Sequence, residues 1–109
     1  MKEFALLPLL KKKKGFFLSI LDLTQIEASL SPEELIPVLR QKKTLLSCIE
    51  KVDQQIKKIR DSFSSSLPQE IQEELTEIRS VIQRILEADK KNYSIRKNEL
   101  GTYAKDRHL

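Results

Sequence analysis

Glycine occurs twice and proline four times in 109 residues, and tryptophan is absent. Sandwiches and barrels need a turn about every 8–12 residues, so a chain this poor in turn-formers and aromatics is neither. A single cysteine, Cys48, excludes an internal disulfide and any multi-cysteine zinc site. No run reaches the roughly 20 apolar residues needed to cross a bilayer. The opening Phe4-Ala5-Leu6-Leu7-Pro8-Leu9-Leu10 is short, broken by proline, and followed rather than preceded by its positive charges, unlike a secretory leader. These absences point to a cytoplasmic protein without stable membrane insertion.

What is present is the vocabulary of long helices: charged residues make up 33% of the chain, and the apolar ones are mostly Leu and Ile. The net charge of +4 is unevenly placed. Residues 1–15 carry Lys2 and Lys11 to Lys14 against Glu3, which accounts for the whole excess. The rest of the chain is neutral and intermixed, where a nucleic-acid binder would show a basic stripe along a folded face. Residues 1–15 are expected to form a mobile basic segment, either a solvated tail or an anchor for an anionic surface. Residues 16–109 are expected to form one helical domain with a mobile C-terminal tail.

Three helices are predicted in that domain. The first covers residues 16–30, beginning after Gly15, with apolar residues around more than half its circumference. Ser31-Pro32-Glu33-Glu34 is a helix start: Ser31 can cap, Pro32 suits the first position, and Glu34 completes a capping box. Pro37 leaves two options, a separate opening turn or a kink, so the second helix begins at 32 or 37 and runs to Phe63. Its stripe is Val38, Leu45, Ile49, Val52, Ile56, Ile59 and Phe63, with Lys42 at the missing seam position and Leu39 and Leu46 widening it. Ser66 and Gln69 mark another capping box, and the third helix, 68–100, carries Ile71, Leu75, Ile78, Ile82 and Ile85, with Gly101 as its stop.

At 1.5 Å per residue the second and third helices span ~40 and ~50 Å. A short connection and seams near heptad period predict an antiparallel hairpin at a shallow angle. The fold expected is therefore all-α, a small three-helix protein built on a long antiparallel helical hairpin, with the first helix packed at the far end. Beyond Leu86 the core register of the third helix lands on Asp89, Asn92, Arg96 and Glu99, while apolar residues appear off that line at Ala88, Tyr93, Ile95 and Leu100. Two explanations stand: helical drift under cover of the first helix, or a groove edge offered to a partner's amphipathic helix. Asn92 can fix register, be solvated, or recognise a partner.

Catalytic chemistry finds little material. His108 is the only histidine and lies beside the C-terminus, far in sequence from Cys48, and no phosphate-cradling or metal-binding motif occurs. The expectation is a non-enzyme with no cofactor and no metal.

The layout resembles flagellar export chaperones of the FlgN and FliT types. The resemblance rests on the middle-helix element Leu39-Arg40-Gln41-Lys42-Lys43-Thr44-Leu45-Leu46 and on Ile82-Gln83-Arg84-Ile85-Leu86-Glu87-Ala88-Asp89-Lys90-Lys91-Asn92-Tyr93, where Asp89 stands at the place of the family's first spaced asparagine. It implies a chaperone that binds the terminal amphipathic helix of an unassembled flagellar or type III secretion substrate and hands it to the export apparatus. Carried onto this chain, the binding surface would comprise Leu86, Asn92, Tyr93, Ile95 and Leu100. The alternative is a structural coiled-coil module whose seams serve self-association, with a homodimer as its product.

Overall fold

The structure, a computed structural model, describes residues 2–60 and 67–107, with side-chain surroundings for 5–59 and 67–97. It is all-α. Helix α1 runs Lys2–Ile26, α2 Pro32–Arg60 and α3 Gln69–Arg107, with a single 3-10 turn at Glu27–Ser29 between the first two. At 25, 29 and 39 residues, they measure about 37, 43 and 58 Å. The molecule is a rod of 68 × 23 × 19 Å.

The start of α2 follows the sequence signal. Ser31 Oγ accepts the Glu34 N–H at 3.2 Å, a donor that a bare helix start would leave open, and the Ser31 carbonyl accepts the first intrahelical bond from the Leu35 N–H at 3.0 Å. The helix continues through Pro37, resolving that alternative in favour of one helix from Pro32. Pro37 is exposed, and so is Glu33, whose carbonyl loses its helical donor to the proline. At the start of α3 the Pro68 carbonyl accepts from Ile71 and Gln72 N–H, and Gln72 Nε2 donates to the Leu67 carbonyl at 2.7 Å. The predicted cap Ser66 and the predicted helix end Phe63 lie outside the described residues, as does His108.

Lys42 faces Asp89, while Ile49 clusters with Val81 and Ile85, so numbers rise along α2 as they fall along α3 and the pair is antiparallel. Helix α1 fills the groove of this hairpin, parallel to α3. It packs closely against both arms, whereas α2 and α3 scarcely approach each other at the level of the backbone. Two apolar clusters follow. Leu6, Leu10, Ile71 and Ile78 form the one near the α2–α3 connection, with Ile56 and Ile59 against it. Ile20, Leu21, Ile49, Val81 and Ile85 form the other.

This corrects the reading of residues 1–15. The stretch expected to be a mobile basic tail is helical from Lys2, and the first helix is not confined to residues 16–30. Leu6 and Leu10 are 3% and 2% exposed, so the apolar line enters the core ahead of the lysines. The lysines then sit at the edges of that line. Lys13 Nζ lies 2.6 Å from Asp53 Oδ1 of α2, and Lys14 Nζ lies 2.6 Å from Glu77 Oε2 and 3.0 Å from Glu74 Oε2 of α3. The hydrogen bonds to Glu77 and Glu74 raise the Lys14 pKa above its ordinary value. Correspondingly, α1 runs along the hairpin rather than packing only at its far end.

Both glycines lie inside helices. Gly101, expected to end α3, is helical and without a positive φ, and the helix continues to Arg107. Gly15 is exposed within α1, and nothing lies within 4 Å of where its Cβ would stand. Gly15→Ala should therefore raise stability by about 0.5–1 kcal/mol, read as a higher urea midpoint at unchanged slope.

Candidate functional site

The polar end of the α3 seam has a partner inside the protein. Where α1 ends, its last carbonyls lose their helical donors, and a helix end buried without replacements is costly. Side chains from α3 supply them. Asn92 Nδ2 donates to the Thr24 carbonyl at 2.8 Å and to Glu27 Oε2 at 3.1 Å. Arg96 donates to the Glu27 and Leu30 carbonyls at 3.1 and 3.0 Å. From α2, Lys42 Nζ reaches Glu27 Oε1 at 2.9 Å and Asp89 Oδ1 at 3.7 Å. Glu27 is 9% exposed and holds the centre of this cluster, which joins all three helices. Thr24, fully buried, returns its hydroxyl to the Ile20 carbonyl at 2.7 Å.

Asp89, Asn92 and Arg96 thus occupy core positions because polar backbone lies opposite them. Neither helical drift nor a groove edge is needed to explain their register. A second polar contact joins the middle of α1 to the first turns of α3. Lys14 Nζ lies 3.1 Å from Glu74 Oε1 as well as 3.0 Å from Oε2, so the buried Oε2 is met by a charge rather than a directed hydrogen bond.

The five residues expected to bind a partner separate accordingly. Leu86 and Tyr93 are 56% and 68% exposed and seven residues apart, on one face of α3. Asn92 is not on that face: its amide hydrogens are spent on Thr24 and Glu27, so it fixes register instead of presenting an amide outward. Ile95 is half-buried. Leu100 is helical, and its side-chain surroundings lie outside the described residues.

Sequence reasoning passed over one exposed pair. Leu39 and Leu46, counted as widening the α2 stripe, are 53% and 50% exposed. Their signal was their offset from the seam, seven residues apart on its flank. On α3 the half-buried Leu75 and Ile82 continue the Leu86–Tyr93 face inward, and Leu75 lines a small cavity with Leu6, Leu10, Ile56, Leu67 and Ile71. This apolar face becomes more exposed toward the C-terminal half of α3.

Among the described residues, no helix is long and apolar enough to cross a membrane, and no group of three or more His, Cys, Asp or Glu side chains is placed to hold a metal ion. Cys48 is half-buried on α2. No family model, curated protein or solved structure matches the chain.

Proposed function

We propose that this is a cytoplasmic, non-catalytic chaperone or adaptor that captures the amphipathic terminal helix of an export substrate, flagellar or of a type III secretion system, and keeps it from assembling early. The observation that carries the reading is the pair Leu86 and Tyr93, two large side chains left more than half exposed at helical spacing. Burying such surface under a partner helix contributes about 25 cal/mol per Å² and needs no catalytic group. The export setting comes from the resemblance to FlgN- and FliT-type chaperones.

The test is Leu86→Asp, assayed for co-purification with co-expressed late flagellar or secreted substrates. Capture should fall at least tenfold while stability stays within about 0.5 kcal/mol of the parent, as for surface substitutions generally. A large drop in melting temperature would show that Leu86 belongs to the core. Undiminished capture would remove it from the site. Ile95, half-buried, is the poorer probe because a charge there also perturbs packing.

A second reading is favoured by Leu39 and Leu46, a heptad-spaced exposed pair on α2 of the kind that joins copies of a coiled-coil module. A dimer that persists at nanomolar concentration and is lost on Leu46→Asp would favour it over helix capture.

A further inference from the structure

Charges on the two hairpin arms are sorted by face beyond what the bundle's own contacts use. On α2, Asp53 pairs with Lys13 of α1, and Glu50, three residues earlier, shares that side. On the opposite side, in steps of three and four, run Arg40, Thr44, Cys48, Lys51, Gln55 and Lys58, a stripe without a carboxylate. On α3, Glu74 and Glu77 meet Lys14 of α1, and Glu70 and Glu73 lie on the same side at helical spacing. The face turned from α1 reads Arg79, Leu86, Lys90, Tyr93 and Lys97, again without a carboxylate.

Helical spacing from the residues that meet α1 sets both stripes beside the α2–α3 groove on the side away from α1. Its floor on α3 is apolar, from Leu75 and Ile82 to Leu86 and Tyr93. The backbones of α2 and α3 scarcely approach each other, which leaves room between the arms. Arg40, Lys51, Lys58, Arg79, Lys90 and Lys97 form no ion pair among the described residues. Six cations beside an apolar floor oppose a basic ligand and favour one that brings both apolar surface and negative charge. Phosphate groups alone would leave the floor uncovered.

We infer that this groove docks an acidic amphipathic helix, apolar along one face and lined by Asp or Glu on both edges of that face. The inference rests on the capture reading above and adds the chemistry of the partner. Leu75 to Tyr93 covers about 27 Å, which a partner helix of roughly 20 residues would match.

The experiment uses the full chain and fluorescein-labelled 21-residue peptides, capped at both ends and present at nanomolar concentration, read by anisotropy at 150 mM NaCl. One has Leu at the two seam positions of each heptad with Glu on the flanks; a second replaces every Glu by Lys; the third is a poly-glutamate of equal length. The Leu/Glu peptide should bind at least tenfold tighter than either control. The double variant Lys51→Glu with Lys90→Glu should lose that preference and gain affinity for the Leu/Lys peptide, with an unchanged circular-dichroism melt. Equal binding of the Leu/Glu and Leu/Lys peptides, both abolished by Leu86→Asp, overturns the acidic partner but leaves helix capture standing. Equal binding of poly-glutamate reduces the surface to a polyanion site and overturns the inference. Binding of neither leucine peptide overturns both readings, as does a dimer of this chain that buries Leu86 and Tyr93.

Discussion

Deleting residues 1–14 should leave a chain that no longer unfolds cooperatively. The deletion removes Leu6 and Leu10, which form a core cluster with Ile71 and Ile78. Truncating one buried leucine to alanine costs about 2–5 kcal/mol, so losing two costs roughly 4–10. A domain of this size has only about 5–15 kcal/mol in total. Glu74, whose side chain is 12% exposed, also loses its Lys14 charge, whereas the pairs of Lys13 with Asp53 and Lys14 with Glu77 add little, because these lysine side chains are 22% and 24% exposed and those carboxylates about half exposed. Surface pairs of this kind contribute about 0–1 kcal/mol each. Circular dichroism during a thermal ramp is the check. A sharp transition near that of the full chain would mean that α1 before Gly15 is dispensable, against the packing described. Leu10→Ala is the milder version, and about 3 kcal/mol is expected from it.

The second large effect is expected at Glu27. Replacing it with alanine leaves the Lys42 ammonium, whose side chain is 15% exposed, with only Asp89 at 3.7 Å. The Asn92 amide loses one of its two acceptors. Removing one member of a buried charged pair costs about 3–5 kcal/mol; the residual exposure of Glu27 and Lys42 puts the expectation at the low end. The companion experiment separates pairing from burial. Glu27→Leu combined with Lys42→Met should recover most of the loss, since an apolar pair carries no desolvation cost. If the double variant is as unstable as Glu27→Ala, the acceptor that Glu27 Oε2 offers to Asn92 matters more than its pairing with Lys42. Urea titration resolves the three chains, with the slope as a control on denatured-state effects.

Both results concern contacts that single-chain pattern reading handles unevenly. The α2 start was legible because Ser31 and Pro32 act within one turn of themselves. The apolar register of α3 was legible because Ile71, Ile78 and Ile85 repeat at helical spacing and are all buried. Residues 1–15 were misread because charge drew attention away from periodicity. Leu6, Leu10, Phe17, Leu21 and Thr24 step by fours, sevens and threes through the lysine run, so the helical signal was there. Gly15 and Pro8 looked like breaks, yet both are exposed on α1, where a weak helix former costs the least packing.

The candidate site was half legible for a different reason. Leu86 and Tyr93 stand off the seam, and exposure follows from that offset alone. Asn92 could not be placed, because its role depends on the Thr24 carbonyl 68 residues away. No local spacing encodes a backbone group on another helix. The same holds for Arg96 and the carbonyls of Glu27 and Leu30. Charge sorting on the arms needed the fold too, since only the position of α1 tells which side of α2 and α3 is already taken.

A first helix wedged between two later ones has a consequence for synthesis. Ribosomes deliver α1 before either surface that covers it exists, and its bonds to α3 span 60 to 68 residues. Contacts that distant slow folding, because the ends of a long chain segment must meet before any of them forms. While it waits, the nascent segment holds Leu6, Leu10, Ile20 and Leu21 bare, the period when a growing chain is most prone to stick to its neighbours. The four consecutive lysines set among those leucines keep that stretch strongly cationic until Asp53, Glu74 and Glu77 emerge to meet it.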